Sequence, residues 1–404
     1  MRILFLSRWF PHPINNGAKI RIFNLLKALR AEHELVLIAF ADEATPQSSL
    51  AAMQALCDDV HIVPYRRFHP TSAKARLGFF ATTPRSVIDT FSPAMHATIQ
   101  DVVTRWQPEI VIASQIDMAP YALTVQNAVR VFEELELAVP ADAYSRAYGV
   151  QRVRKGLTWW KLEHYLRRTL PAFDLCTVVS ACERDLAIQV CPDGPPVQIV
   201  PNGADLATLS RVQTPPTPGT LIYSGALTFS ANYDAVYYFL AEIFPLILAQ
   251  APETRLLVTG STQGVAIEQL PQCPNVYFTG YLDDIWSAVA GSWLSVVPLR
   301  LGGGTRLKVL ESLALGTPVV ATPKGVEGLD LRADEDVVVG ADPRSFANKT
   351  LALLNDAGLR QQLSTQGRSA VTRYDWASIG RQFNALLAEA DAHHHSPATS
   401  VRQP

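Results

Sequence analysis

Apolar positions along this chain alternate between two rhythms. Short, nearly continuous apolar runs occupy 3–7, 34–41, 60–64, 109–114 and 175–180. Between them, apolar residues recur every three or four positions. In 17–31, Ile22, Leu25, Leu26 and Leu29 form the stripe of an amphipathic helix. The unbroken runs suit strands buried on both faces, as in a parallel sheet. The rhythm restarts after Thr220, with strands expected at 221–225, 255–260, 275–279, 294–299, 318–322 and 337–339. Helices are expected at 232–249, 283–290, 305–315, 344–355 and 359–373. Two separate strand–helix series predict an α/β protein of two facing, doubly wound, Rossmann-like domains with a cleft between them. The first is placed at 1–200 and the second at 201–373, joined through a stretch rich in Pro, Thr and Gly. A last helix, 375–390, has no strand after it and is expected to cross back onto the first domain. The low-complexity stretch 391–404, with its triplet His393–His395, reads as a flexible tail.

Composition narrows the class. The 404 residues carry 35 Lys+Arg against 37 Asp+Glu, a formal charge of −2, which excludes a globally basic nucleic-acid binder. With 48% hydrophobic and 18% charged residues, the chain can bury large cores and has little reason to be disordered. No stretch reaches the roughly 18 apolar residues of a membrane-spanning helix, and the start is too short an apolar run for a signal peptide. Cys57, Cys176, Cys182, Cys191 and Cys273 are scattered and lack Cys-x2-Cys spacing, so they read as reduced thiols of a cytoplasmic protein with no metal site.

In an open parallel sheet, ligands bind outside the carboxyl ends of the strands. The stretch 299–322 therefore stands out. A strand is followed by Gly302, Gly303 and Gly304, and then by a helix opening with Thr305, Arg306, Leu307 and Lys308. Glycines let backbone N–H groups approach a ligand, and a helix N-terminus favours anions. Arg306 and Lys308 are unfavourable there by about 0.3–1 kcal/mol each unless an anion such as a diphosphate is bound. Glu311, three residues after Lys308, could accept hydrogen bonds from vicinal ribose hydroxyls. The alternative is a glycine turn followed by a Lys308–Glu311 surface pair.

The run Gly302–Thr322 resembles the donor-binding segment of glycosyltransferase family 4, in particular its bacterial exopolysaccharide-associated sugar transferases. Residues 11–21, 200–205, 224–227, 232–236, 279–284 and 323–329 resemble the family's other markers in order. The resemblance implies the two-domain GT-B fold and transfer with retention of anomeric configuration. It also implies a nucleotide-diphosphate sugar donor in the second domain, a glycan or lipid-linked acceptor in the first, and no cofactor or metal. Donor contacts then fall to Gly17, Ser224, Gly225, Gly303, Gly304, Thr305, Arg306, Leu307, Lys308 and Glu311. Two departures stand out. Where the family often has the first Glu of a Glu-x7-Glu pair, this chain has Gly303. The basic pair common after the strand ending near Ser224 and Gly225 is absent, leaving its charge to Arg306 and Lys308.

In the first domain, Gly17 either approaches a phosphate or turns the chain into its helix, and Lys19 and Arg21 read as decoration of that helix. Asp117 either orients a hydroxyl or caps a helix. Among Glu133, Glu134 and Glu136, Glu134 is the candidate to face the ligand, a solvated edge being the alternative. Asp117, Glu134 and Arg306 are thus the catalytic candidates. Finally, 145–168 is basic and aromatic, with Trp159, Trp160 and Tyr165. It reads either as a contact with an anionic membrane, which would place the protein peripherally on the inner face of the cell membrane, or as a surface helix whose tryptophans pack inward. A sugar-nucleotide epimerase on the same fold and a non-catalytic nucleotide-sugar or glycan binder are the competing functions.

Overall fold

The computed structural model describes residues 1–41, 45–302 and 305–395. The chain forms two compact units. One comprises Met1–Pro201 with the chain from Ala377 onward, and the other comprises Asn202–Trp376.

The first unit is built on seven parallel strands among the described residues. They are β1 (Arg2–Ser7), β2 (Glu34–Ala41), β3 (Asp59–Pro64), β4 (Ile110–Ser114), β5 (Val129–Glu133), β6 (Leu175–Val178) and β7 (Val197–Ile199), in the order β3-β2-β1-β4-β5-β6-β7. β1 lies centrally, pairing Arg2–Ser7 with Glu34–Ala39 on one side and Ile3–Ser7 with Ile110–Ser114 on the other. Ile3 to Leu6 and Ile110 to Ala113 are fully buried, which is why these strands read as unbroken apolar runs.

In this unit the helix Gly17–Arg30 follows β1. Asn16 caps it by accepting from the Lys19 N–H, so Gly17 is its first residue rather than the capping turn. The last helix, Trp376–His394, belongs to the same unit from Ala377 on. Asn384 donates to the Ala28 carbonyl and to Glu32, Gln382 donates to the Ile199 carbonyl, and a Cβ on Gly380 would lie 2.5 Å from the Ala28 side chain. The helix runs past Ala390 to His394, whose Nδ1 lies 3.2 Å from Asp174, so the first residues of the segment read as a tail are helical, and 396–404 lie outside the described residues. The segment read as basic and aromatic forms the helix Gly149–Thr169, in which Trp159 is half-buried while Trp160 is exposed and stacks on His164.

The second unit repeats the plan with six parallel strands, β8 (Thr217–Ser224), β9 (Arg255–Thr259), β10 (Val276–Gly280), β11 (Ser292–Val297), β12 (Val319–Ala321) and β13 (Val338–Val339), ordered β10-β9-β8-β11-β12-β13. The expected helix 232–249 is three pieces. An α-helical stretch, Ser230–Tyr238, widens into a π turn at Phe239–Ile243 and resumes at Phe244–Leu248, where Pro245 lacks the N–H of a continuous ladder.

In both sheets the strand order reverses beside the first strand, at β1/β4 and at β8/β11, which marks where ligands are expected. One contact of the first unit departs sharply from the sequence reading. Arg21 does not decorate the helix surface. It is fully buried, 2.6 Å from Glu133 at the end of β5, and donates to the Val200 and Pro201 carbonyls at 2.8 and 3.2 Å. Removing one partner of a buried pair strands the other charge. Arg21→Ala should therefore lower stability by about 3–5 kcal/mol in urea unfolding. An unchanged midpoint would contradict this role.

Candidate functional site

The second unit brings its candidate residues to the β8/β11 switch. Gly225 follows β8 with φ +152°, and Gly260 follows β9 with φ +110°. A Cβ on Gly260 would lie 2.5 Å from the Gly225 carbonyl carbon, so these two backbones approach as only glycines allow. A Cβ on Gly225 would lie 2.7 Å from Lys308 Nζ and 2.9 Å from Asn232 Nδ2. Lys308 stands in the first turn of the helix Leu307–Ala314 and reaches back to the end of β8.

Its ammonium donates to the Tyr223 hydroxyl and to Asn232 Oδ1, both at 3.1 Å, and lies 4.2 Å from the centre of the Tyr223 ring. Tyr223 donates in turn to Asn232 at 2.8 Å, and Asn232 donates to the Ala226 carbonyl. All these partners are neutral. Burial, together with the positive charge of Arg306, lowers the Lys308 pKa to about 7, with Glu311 opposing. Glu311, one turn further on, is half-buried. Burial pushes its carboxyl up to about 7, against a hydrogen bond from the Trp286 indole and the charge of Lys308. The alternative reading, a Lys308–Glu311 surface pair, does not hold, because no carboxylate among the described residues lies within ion-pair distance of Lys308, whose ammonium donates to Tyr223 and Asn232.

Arg306 is placed differently from Lys308. It is buried and donates to the Gly302 carbonyl at 2.9 Å and the Lys324 carbonyl at 3.2 Å, with Glu327 3.8 Å away. Its guanidinium thus holds the loop before the helix to the segment after β12. Thr305 accepts from Asn202 Nδ2 at 3.1 Å, and the helix begins at Leu307, two residues later than the pattern suggested. Ser224 ends β8 beside Gly225. Gly303 and Gly304 lie outside the described residues.

At the β1/β4 switch of the first unit, polar residues close the carboxyl ends of β1, β4 and β5. Ser7 pairs in register with Ser114, and Ser114 with Glu133; Ser114 also donates to the Glu133 carboxylate at 2.7 Å. Past the strands, Arg8 reaches Asp117 at 2.6 Å and the Tyr65 hydroxyl at 2.9 Å, with its guanidinium over the Trp9 ring. Trp9 donates to Gln115, which donates to Glu134 at 3.2 Å.

Glu134 is buried with φ +60°, and burial and the neighbouring Glu133 raise its pKa against Arg21, 3.9 Å away. The solvated-edge alternative for Glu133 and Glu134 is therefore wrong, whereas Glu136 is exposed. Asp117 is buried too, its second oxygen has no hydrogen-bond partner, and burial raises its pKa against Arg8. It does not cap a helix, because the residue before the Ala119–Ala122 turn is Met118. A cavity of about 300 Å³ opens here, lined by Arg8, Trp9, His12, Lys19, Phe40 and Tyr65 among others. Gly17 is not among its walls. Sequence reading missed Arg8, Trp9 and Gln115, which only the strand-end rule combined with the sheet order could have found. Trp286 gave no local signal.

The comparisons with known proteins fall on both units. The family profile described as Glycosyltransferase Family 4 matches residues 15–208, and that described as Glycosyl transferases group 1 matches 218–356. A phosphatidyl-myo-inositol mannosyltransferase of Mycobacterium leprae is 27% identical over 198 residues, covering 45% of this chain and 51% of that protein. The mannosyltransferase of the same description from Propionibacterium freudenreichii is 28% identical over 240 residues, covering 56% of this chain and 58% of its own length. The match thus spans about half the length of these curated relatives. Among solved structures, Anabaena HepE, crystallised in complex with UDP and glucose, superposes with a TM-score of 0.65 at 16% identity, over 96% of this chain and all of that one. The fold is of the GT-B type, and the chain belongs to the family 4-like glycosyltransferases.

Two variants test the second-unit site. Gly225→Ala should fold yet displace Lys308 or Asn232, changing ligand binding more than melting temperature; equal loss of both would contradict the close approach. Glu311→Gln tests burial of the carboxyl. With a folded pKa of about 7 above the ordinary 4.5, stability contributed by Glu311 is complete below pH 4.5 and lost as pH rises through 7. Urea midpoints should therefore show Glu311→Gln gaining on the parent protein more at pH 8 than at pH 5.

Proposed function

We propose that the protein is a retaining glycosyltransferase that moves a sugar from a nucleotide-diphosphate donor, held by the second unit, to a glycan or lipid-linked acceptor, held by the first, in the assembly of a cell-surface polysaccharide. The observation that carries this reading is Lys308. Its half-buried ammonium is held against neutral oxygens, 2.7 Å from where a Cβ on Gly225 would stand, and Glu311 stands one helical turn away. A partly desolvated cation with no carboxylate at ion-pair distance among the described residues is unfavourable, and a diphosphate supplies that charge.

In this reading Lys308 neutralises the leaving diphosphate and Glu311 accepts from the ribose hydroxyls. Gly225, lacking a Cβ, lets Lys308 and Asn232 approach the end of β8, and Arg306 fixes the loop before the helix. The bond from the anomeric carbon to the diphosphate oxygen breaks as the acceptor oxygen bonds to that carbon from the same face. The acceptor proton passes to the departing phosphate oxygen, so the step uses neither a protein base nor a metal. The cavity beside Arg8 and Trp9 suits a sugar, with an aromatic face and, in its wall, Arg8, which pairs with Asp117. The exopolysaccharide role rests on the motif resemblance. The complex of HepE with UDP and glucose supports a nucleotide-sugar donor.

Thermal-shift measurements against UDP, GDP, ADP and their sugars test the donor. The matching nucleotide at 100 times its Kd should add about 2.7 kcal/mol of stability. Lys308→Met should abolish most of the shift with the nucleoside diphosphate and spare that with the nucleoside. It should also raise the melting temperature of the unliganded protein at pH 6, where the parent must keep the buried ammonium charged. Loss of nucleoside and diphosphate binding to the same degree would overturn the assigned role. With the donor known, slow release of free sugar in the absence of acceptor marks a transferase, whereas interconversion of the intact nucleotide sugar marks an epimerase.

A further inference from the structure

The second unit carries a polar cavity away from the β8/β11 switch. It measures about 470 Å³ and lies where β11 and β12 begin, with Ser292, Trp293 and Thr317 in its lining. Another wall is one stripe of the helix Ala357–Ala370. Arg360, Gln361, Ser364 and Arg368 recur there at helical spacing, while Leu363, Gly367 and Ala370 are buried on the other side. The helix Leu307–Ala314 runs between the two places. Lys308 stands in its first turn, and Leu315 and Gly316, just past its end, line the cavity, on the order of 12 Å further along the axis.

Both arginines are built into this wall. The Arg360 guanidinium lies 3.8 Å from the centre of the Trp293 ring, and its Nη1 donates to the Leu353 and Leu354 carbonyls. Arg368 Nη2 donates to the Leu315 carbonyl at 2.9 Å, and a Cβ on Gly316 would lie 2.2 Å from that nitrogen, so the approach requires the glycine. Holding the carbonyls at helix ends is an ordinary use of arginine, and it engages one nitrogen of each. The other nitrogens meet no protein acceptor among the described residues, and neither guanidinium has a carboxylate within ion-pair distance there. By contrast, Arg300, Arg332 and Arg373 of the same unit are each paired with an Asp. The lining of the cavity contains no Asp or Glu.

We propose that this cavity binds a small phosphorylated sugar. A guanidinium stacked on an aromatic ring keeps its donors in one plane, the arrangement that grips phosphate oxygens two at a time. Two such groups with no carboxylate beside them leave a positive field, and a phosphate supplies the opposite charge. Gln361 and Ser364 stand between the two arginines on the helix, so the neutral part of the ligand meets hydrogen-bonding groups that suit hydroxyls. The aromatic side chain in the lining, Trp293, already carries Arg360 on its ring, which favours a sugar over a nucleobase as that neutral part. The volume is that of a small-molecule site. The proposal is independent of the donor site, which lies at the carboxyl ends of the same strands.

Titration calorimetry of the full chain with mannose 6-phosphate, inorganic phosphate and mannose tests it. Mannose 6-phosphate is expected to bind the parent and Lys308→Met alike, inorganic phosphate more weakly, and mannose not at all. Arg368→Gln should weaken binding of the sugar phosphate by roughly tenfold or more. Gln361→Glu combined with Ser364→Asp leaves both arginines and their carbonyl contacts in place and turns the lining acidic. That double variant should lose the binding and keep the melting temperature and the nucleotide-induced shift of the parent. No binding of mannose 6-phosphate, its loss in Lys308→Met, equal affinity for inorganic phosphate, or cavity variants that bind like the parent would each overturn the proposal. A protein that binds mannose 6-phosphate and ignores every nucleotide would instead leave this site standing and remove the donor reading.

Discussion

Burial of both faces of a parallel sheet is the constraint from which the organisation of each unit follows. A strand covered by helices above and below has no solvated side on which to carry polar groups, so Ile3–Leu6, Ile110–Ala113 and Val296–Val297 are apolar throughout. Polar chemistry is pushed to the strand ends, and the connectivity of a doubly wound sheet separates successive loops at the place where strand order reverses. In the first unit that place gathers Arg8, Gln115, Asp117 and Glu134. In the second it gathers Gly225, Gly260, Lys308 and Glu311.

Two different ways of burying charge sit at these places. Arg21 and Glu133 are buried together, and the guanidinium also takes the Val200 and Pro201 carbonyls; this arrangement fastens the helix, the end of β5 and the segment after β7 within the first unit. Lys308 is set against neutral oxygens, and burial moves its pKa down and that of Glu311 up, each to about 7, although each charge partly offsets the shift of the other. Buried groups whose ionisation is displaced toward the working pH concentrate at functional sites. Arg306 resembles Lys308 in sequence and differs from it in use, since the loop carbonyls of Gly302 and Lys324 occupy its donors.

The basic residues of 66–88 and 146–162 follow another logic. Apart from the buried Lys161 most are exposed and cluster by sequence composition, and what folding adds is the neighbour. Lys161 anchors the Gly78–Phe79 backbone to a helix some 80 residues further along the chain, which converts two basic segments into one face with an apolar tip.

The alternation of unbroken apolar runs and helical stripes was enough to read two doubly wound units, the order of their strands along the chain, and a closing helix that returns to the first, because backbone periodicity and burial are local consequences of side-chain pattern. The glycines, cations and Glu311 after β11 were legible from their place between a strand and a helix, and Gly225 through the family resemblance. Which partner each charge would find was not. Arg21 read as a surface residue and proved to be the most deeply buried cation of the first unit. Lys308 read as a cation of an anion site, with a surface pair to Glu311 as the alternative, and nothing in the sequence placed it against Tyr223 and Asn232. Trp286 and Arg8 gave no sign of their contacts. A charge carries no record in its neighbouring residues of what lies opposite it across a sheet, so these pairings were decided only when the strands took their order and brought distant ends to one edge.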